Sequence, residues 1–362
     1  MVLARLLPLA VLVSVALLLP RSDVPIAAAE DAFRPMFNGK DLSGWVNVNC
    51  APGTFYTKGD EVITTGRPTG YLRTDKQYEN FVLEMDWMHV NTKDVGNSGL
   101  FVWGDPLPAV GTGYTRGIEV QVLVNLEYRD KKTNAITATS HGDLFSIWGA
   151  RCTPDRPHPL GWERCLPSEN HAKGGGEWNH YRVIANNGVI KLEVNGKEVS
   201  GVSKCSPRKG YLALESEGAE CHFKNMKIQE LPSTKPRPED VANVADGHVS
   251  LFDGMDLSGW KTEPGAWKVV GEKLGASGAG ALALDKKLEA GDLMFDWKVP
   301  SKSVSTLTVE VGNTKTVFTA MTPGKWQREH VTIPANASPA PIAFKAAPGA
   351  EIMNVFARPD KQ

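Results

Sequence analysis

Nine residues occur twice in this chain with two changes. F-N-G-K-D-L-S-G-W runs from Phe37 to Trp45, and F-D-G-M-D-L-S-G-W from Phe252 to Trp260, 215 positions further on. A repeat on this scale means that one architecture has been built twice, so the fold must suit two domains of one chain. The correspondence continues beyond the opening turn. F-V-L-E-M-D-W, ending at Trp87, matches D-L-M-F-D-W, ending at Trp297, and G-E-W-N-H-Y-R-V-I from Gly176 matches G-K-W-Q-R-E-H-V-T-I from Gly324. Between those two landmarks the first copy has about 90 residues and the second about 27. Residues found only in the first copy are therefore the candidates for function. Residues shared by both are candidates for framework.

The local pattern is that of strands. V-L-E-M-D-W-M, I-E-V-Q-V-L, Y-R-V-I-A, V-I-K-L-E-V and Y-L-A-L-E-S alternate or stay rich in β-formers, between Gly, Asn, Asp and Pro punctuation. N-N-G at 186–188 and N-G-K at 195–197 are tight hairpin signals. No segment of the mature chain sustains a helical period. The expected fold class is all-β, a jelly-roll or Greek-key sandwich followed by a second, smaller sandwich. The first domain is expected over 33–231, a Pro-rich linker over 232–248 and the truncated repeat over 249–362.

With 362 residues, both domains are large enough to bury a core. A net charge of -1, with both signs scattered, offers no electrostatic basis for nucleic-acid binding. Residues 1–29 read as a secretory signal peptide, with Arg5, the apolar stretch Leu6 to Leu19 and the small residues Ala27, Ala28 and Ala29 before Glu30. The apolar stretch is shorter than the ~20 residues a span requires. Export to the periplasm or medium is thus expected, with no membrane span left after cleavage. Of the five cysteines, Cys165 and Cys205 lie in loop-like sequence and form the preferred disulfide pair.

Candidate site residues follow from self-comparison. On the strand G-I-E-V-Q-V-L, Ile118, Val120 and Val122 share one face, and Glu119 with Gln121 the other, a pairing suited to a polar cleft. Glu84 faces the same way as Asp86 on its strand; the repeat keeps Asp296 for Asp86 but has Met294 for Glu84, which favours Glu84 as the functional member. Asn97 in G-N-S-G brings a donor and an acceptor beside permissive glycines. His141, two residues from Asp143, could shuttle a proton. Trp45, Trp87 and Trp178 have partners in the repeat and read as packing. Trp103, Trp148 and Trp162 have none and are candidates for stacking on a sugar ring. Hydrolase elbow, zincin, Walker and dinucleotide motifs are absent. No cofactor is expected, and no ligand spacing supports a metal, divalent cations included.

F-N-G-K-D-L-S-G-W, G-N-S-G-L-F-V-W, G-I-E-V-Q-V-L, G-G-E-W-N-H-Y-R-V and G-Y-L-A-L-E-S-E-G-A-E-C-H-F-K-N-M-K-I together resemble the 3-keto-disaccharide hydrolase domain family over about residues 33 to 231. The resemblance implies a concanavalin-like β-sandwich and action on glycosides whose glucose is oxidised at C3. A ketone there acidifies the C2 hydrogen, so a base can drive β-elimination of the C1 substituent, and hydration completes hydrolysis. On that implication Glu119 is the expected base, Asn97 and Gln121 orient the sugar, and His141 donates a proton. Where family members often carry Q-x-H-G, this chain has Glu215 and Glu217 in E-S-E-G, which makes Glu215 a second acid/base candidate. Two other readings stand beside the enzyme: a glycan-binding module without catalysis, and a surface scaffold.

Overall fold

The computed structural model describes residues 33–300 and 306–361. The signal-peptide reading of 1–29 lies outside the described residues. The protein is all-β. Among the described residues, helix is confined to the single 3-10 turns Pro238–Asp240 and Ala335–Ala337. No helix there is long and apolar enough to cross a membrane.

Two antiparallel sheets form the first sandwich. One runs in the order Arg164–Cys165, Leu144–Ile147, Gly117–Val124, Gly96–Gly104, Tyr211–Ser216, Gly70–Thr74 and Trp45–Val48. The other has Phe81–His89 between Asn179–Asn186 and Cys221–Glu230 at its centre. Alternation fills the space between them: Ile118, Val120 and Val122 from one sheet meet Leu83, Trp87, Tyr181 and Phe223 from the other. Asn187-Gly188 and Asn195-Gly196 make the two-residue turns on either side of Val189–Val194. Positive φ at both residues of each turn matches the twist of the hairpins.

The second sandwich repeats the plan with shorter strands. Its own core includes Trp260, Phe295, Trp297 and Phe344. The segment between the sandwiches does not hang free. Arg208 N–H donates to the Asp240 carbonyl, Ala242 N–H to that of Lys209, and Asn243 N–H to Asp105, which lays the segment along the first sandwich.

A third apolar cluster joins the two halves. Met294 and Phe356 from the second sandwich pack on Val48, Tyr71, Phe101 and Ala213 of the first. Of the paired tryptophans, Trp87, Trp260 and Trp297 are buried, whereas Trp178 and Trp326 are only half-buried. The preferred disulfide does not form. Cys165 and Cys205 stand on strands of different sheets, and all five thiols are free and buried. What looked like loop sequence around each is strand, Arg164–Cys165 and Lys197–Ser206.

Candidate functional site

The outward face of the first-named sheet gathers the polar residues in two cross-strand rows. In one, Glu119 stands between Phe101 and Phe145. In the other, Gln121 stands opposite Gly99, and Glu215 opposite Tyr71. Gly99 is what lets the carboxylates meet. A Cβ there would lie 2.9 Å from Glu215 Oε2 and 3.0 Å from Glu119 Oε1, so the two side chains converge over a bare stretch of backbone.

A hydrogen-bond chain borders this pair. Asp143 accepts from Arg164 Nε at 2.6 Å, and Arg164 donates onward to Gln121 Oε1 at 3.0 Å. The Gln121 amide donates to Asn97 Oδ1 at 2.9 Å, and Asn97 donates to Glu217. Tyr114 closes the chain by donating its hydroxyl to Glu217 Oε1 at 2.7 Å. Glu215 Oε2 is buried without a hydrogen-bond partner, close enough to Glu119 and Glu217 to feel both charges.

Electrostatics follow from this crowding. Burial, reinforced by the charge of Glu217 and opposed by Arg164, pushes Glu119 up to about 8. Burial, and then the neighbouring Glu119 and Glu217, hold Glu215 well above the usual carboxylate range. Burial and the adjacent Glu217 also raise the Tyr114 phenol, which stays a donor. Two buried carboxyl groups with raised pKa, side by side, can hold and pass on a proton that ordinary carboxylates would have lost. Among the described residues no group of three or more His, Cys, Asp or Glu has the geometry to hold a metal.

The structure brings together Glu119, Gln121, Asn97 and Glu215. Trp148, half exposed, stacks on Tyr114 with centroids 6.3 Å apart and planes at 17°. Trp162, also half exposed, lines an adjoining cleft with Phe145 and Arg164.

Three expectations need correction. Glu84 lies on the opposite sheet, ion-paired with Arg182 and Lys227, and does not reach the site. Trp103 is fully buried and donates Nε1–H to the Glu79 carbonyl at 2.8 Å, so no sugar can stack on it. His141 makes no hydrogen bond to the carboxyl cluster. Its backbone N–H goes to Thr139 and its ring Nδ1 is buried without a partner, while Asp143 is the member of that pair that joins the site.

Sequence reasoning missed Tyr114, Arg164 and the roles of Glu217 and Gly99. For Glu217 and Gly99 the motifs E-S-E-G and G-N-S-G were the available signal. Nothing local distinguishes Tyr114 or Arg164.

The site is thus a β-sandwich face with a buried carboxyl cluster beside two half-exposed indoles, and the family that the sequence matches is a carbohydrate-active one. The chain belongs to the family of the 3-keto-alpha-glucoside-1,2-lyase-like domain, whose model matches residues 32–229. Among solved structures, one described as a glycosyl hydrolase from Parabacteroides distasonis is 20% identical, covering 56% of this chain and 95% of its own, with a TM-score of 0.42. A second from that organism is 19% identical over 55% of this chain and 99% of its own, with a TM-score of 0.38. The carbohydrate-binding module CBM66 from Bacillus subtilis is 14% identical over 52% and 96%, with a TM-score of 0.35. No curated protein matches the chain.

Proposed function

We propose that the protein cleaves 3-keto-glycosides by β-elimination and hydration, working outside the cytoplasm as its leader-like first 29 residues suggest. The supporting observation is the convergence of two carboxyl groups with raised pKa over Gly99, beside the hydrogen-bonded chain that ends on Glu217. Glu119 is the base. A carboxylate whose conjugate acid titrates near the working pH is a stronger base than an ordinary Glu. It takes the C2 proton, and the electron pair passes into the enolate of the C3 ketone. Gln121 and Tyr114 would donate to that developing charge by turning from their present acceptors, Asn97 and Glu217.

The C1–O bond then breaks, with the proton of Glu215 going to the leaving oxygen. Hydration reverses the traffic. Water delivers hydroxyl to C1 as Glu215 takes its proton, and Glu119 returns the proton to C2. The sum is hydrolysis, and both acids end in their starting states. The exposed indoles of Trp148 and Trp162 suit the sugar on either side of the scissile bond. They also favour the second reading, a glycan-binding module that does no chemistry.

Incubating the protein with 3-keto-trehalose or a 3-keto-β-glucoside in heavy water separates the two. Glucose-type product carrying deuterium at C2, with turnover reduced at least ~10²-fold in Glu119→Gln, is the expected result. Binding of parent sugars without turnover would leave only the module.

A further inference from the structure

Each sandwich carries the same three-residue device on one of its sheets. In the first, Asp86 stands opposite His180 and accepts from His180 Nδ1 at 2.7 Å and from Asn225 at 2.6 Å. In the second, Asp296 stands opposite Arg328 and accepts from Arg328 Nε at 2.7 Å and from Asn354 at 2.6 Å. Asn225 and Asn354 occupy matching bulges, with φ of 52° and 50°. The framework is shared, but its use is not. In the second copy the device grips the first sandwich: Gly111 N–H donates to Asp296 at 2.9 Å, Arg328 donates to the Pro108 carbonyl at 2.8 Å, and Asn354 donates to that of Thr112 at 2.9 Å. Asp296 is wholly buried by this contact. Gly111 lies so close on the Trp326 ring that a Cβ would sit 2.3 Å from it.

The gripped loop leads directly into Tyr114, the donor to Glu217. Beside it, Met294 and Phe356 cover Phe101 and Tyr71, which are the cross-strand neighbours of Glu119 and Glu215. One end of the site face is therefore walled off by the second sandwich. The other borders the cleft lined by Phe145, Arg164 and Trp162, through Phe145 beside Glu119 and Arg164 on Gln121.

We infer that the second sandwich is a working part of the active site: Arg328, Asp296 and Asn354 position Tyr114 by holding the 108–113 loop, and the covered face makes the groove blind, so that only the end of a short glycoside enters. The chemistry rests on the function proposed above, whereas the clamp does not. Arg328 is a positioning residue. The first copy shows that His at this place still satisfies the Asp, so Arg328→His keeps the framework pair and loses the reach to Pro108.

The test is hydrogen exchange across 106–116 in the full-length protein, together with kinetics of Arg328→His, Tyr114→Phe and the double variant. Faster exchange in Arg328→His is expected, with kcat lowered about 5- to 30-fold, KM little changed, and no further loss when Tyr114→Phe is already present. Unchanged exchange would overturn the clamp. Faster exchange with unchanged kcat, or losses that multiply in the double variant, would overturn the positioning of Tyr114. If the wild-type chain turns over neither 3-keto substrate, the proposed chemistry is what fails, and exchange still decides the clamp. Should Arg328→His not fold, Arg328→Lys keeps the charge facing Asp296 without the forked second nitrogen and is read in the same way.

Discussion

At the scale of single residues, the protein keeps acids where folding would exclude them. Glu119 is buried with its pKa pushed up to about 8, from the ordinary carboxyl value of 4.5. In that window the folded chain holds a proton that the unfolded chain has released. Stability therefore falls as pH rises from about 4.5 to about 8, and the loss is complete above the folded value. If Glu119 is the base, kcat/KM should climb over the upper part of the same range, because the reactive form is the carboxylate. The two curves run in opposite senses, as a strained functional site requires. Glu119→Gln should separate them. At pH 8 its Tm should exceed that of wild type by about 3–8 °C, a gain on the order of 1–3 kcal/mol, while at pH 4 the two should melt together. Thermal melts across pH check the first claim and initial rates the second. A rate that falls through pH 8 would make Glu119 an acid and shift the base to another member of the cluster.

At the scale of elements, strand period explains both what could be read in advance and what could not. Alternation along Gly117–Val124 separates Ile118, Val120 and Val122 from Glu119 and Gln121, and the Asn-Gly turns announce their hairpins; each is a local property of a few residues. Trp103 shows the limit. Strict alternation from Gly99 and Phe101 would set its indole on the site face. Its φ of 58°, opposite the register shift between Tyr211 and Ala213, breaks the period and turns the ring into the core. Tyr114 and Arg164 were illegible for a different reason: they reach the site from separate segments, and only the assembled sheet brings them to Glu217 and Gln121. Two tryptophans that look alike in the sequence should thus behave oppositely. Trp103→Ala should cost about 3–5 kcal/mol in denaturant unfolding through the cavity it leaves. Trp148→Ala should change stability by less than about 0.5 kcal/mol while weakening affinity for glycan, measured by calorimetry.

At the scale of the whole molecule, the repeat turns out to be asymmetric in use. The second sandwich carries the same Asp–Asn bulge as the first. Arg328, at the place where the first copy has His180, is long enough to take hold of the 108–113 loop. Nothing in either copy read alone discloses this, because the contact joins a framework position to a loop that only one copy has. The contact also buries apolar surface, since Met294 and Phe356 seal Val48, Tyr71, Phe101 and Ala213. A chain ending at residue 231 retains the first sandwich's entire core, so it should fold. It would also present that apolar patch to water beside the carboxyl cluster, and patches of this kind drive association. The expected outcome is a fragment that melts cooperatively, at a lower Tm than the full chain. It should self-associate with rising concentration in light scattering, and turn over more slowly even when monomeric. A fragment that stays monomeric and matches the full chain in kcat would mean that the second sandwich merely rests against the first. In that case the blind end of the groove would have to arise within the first sandwich itself.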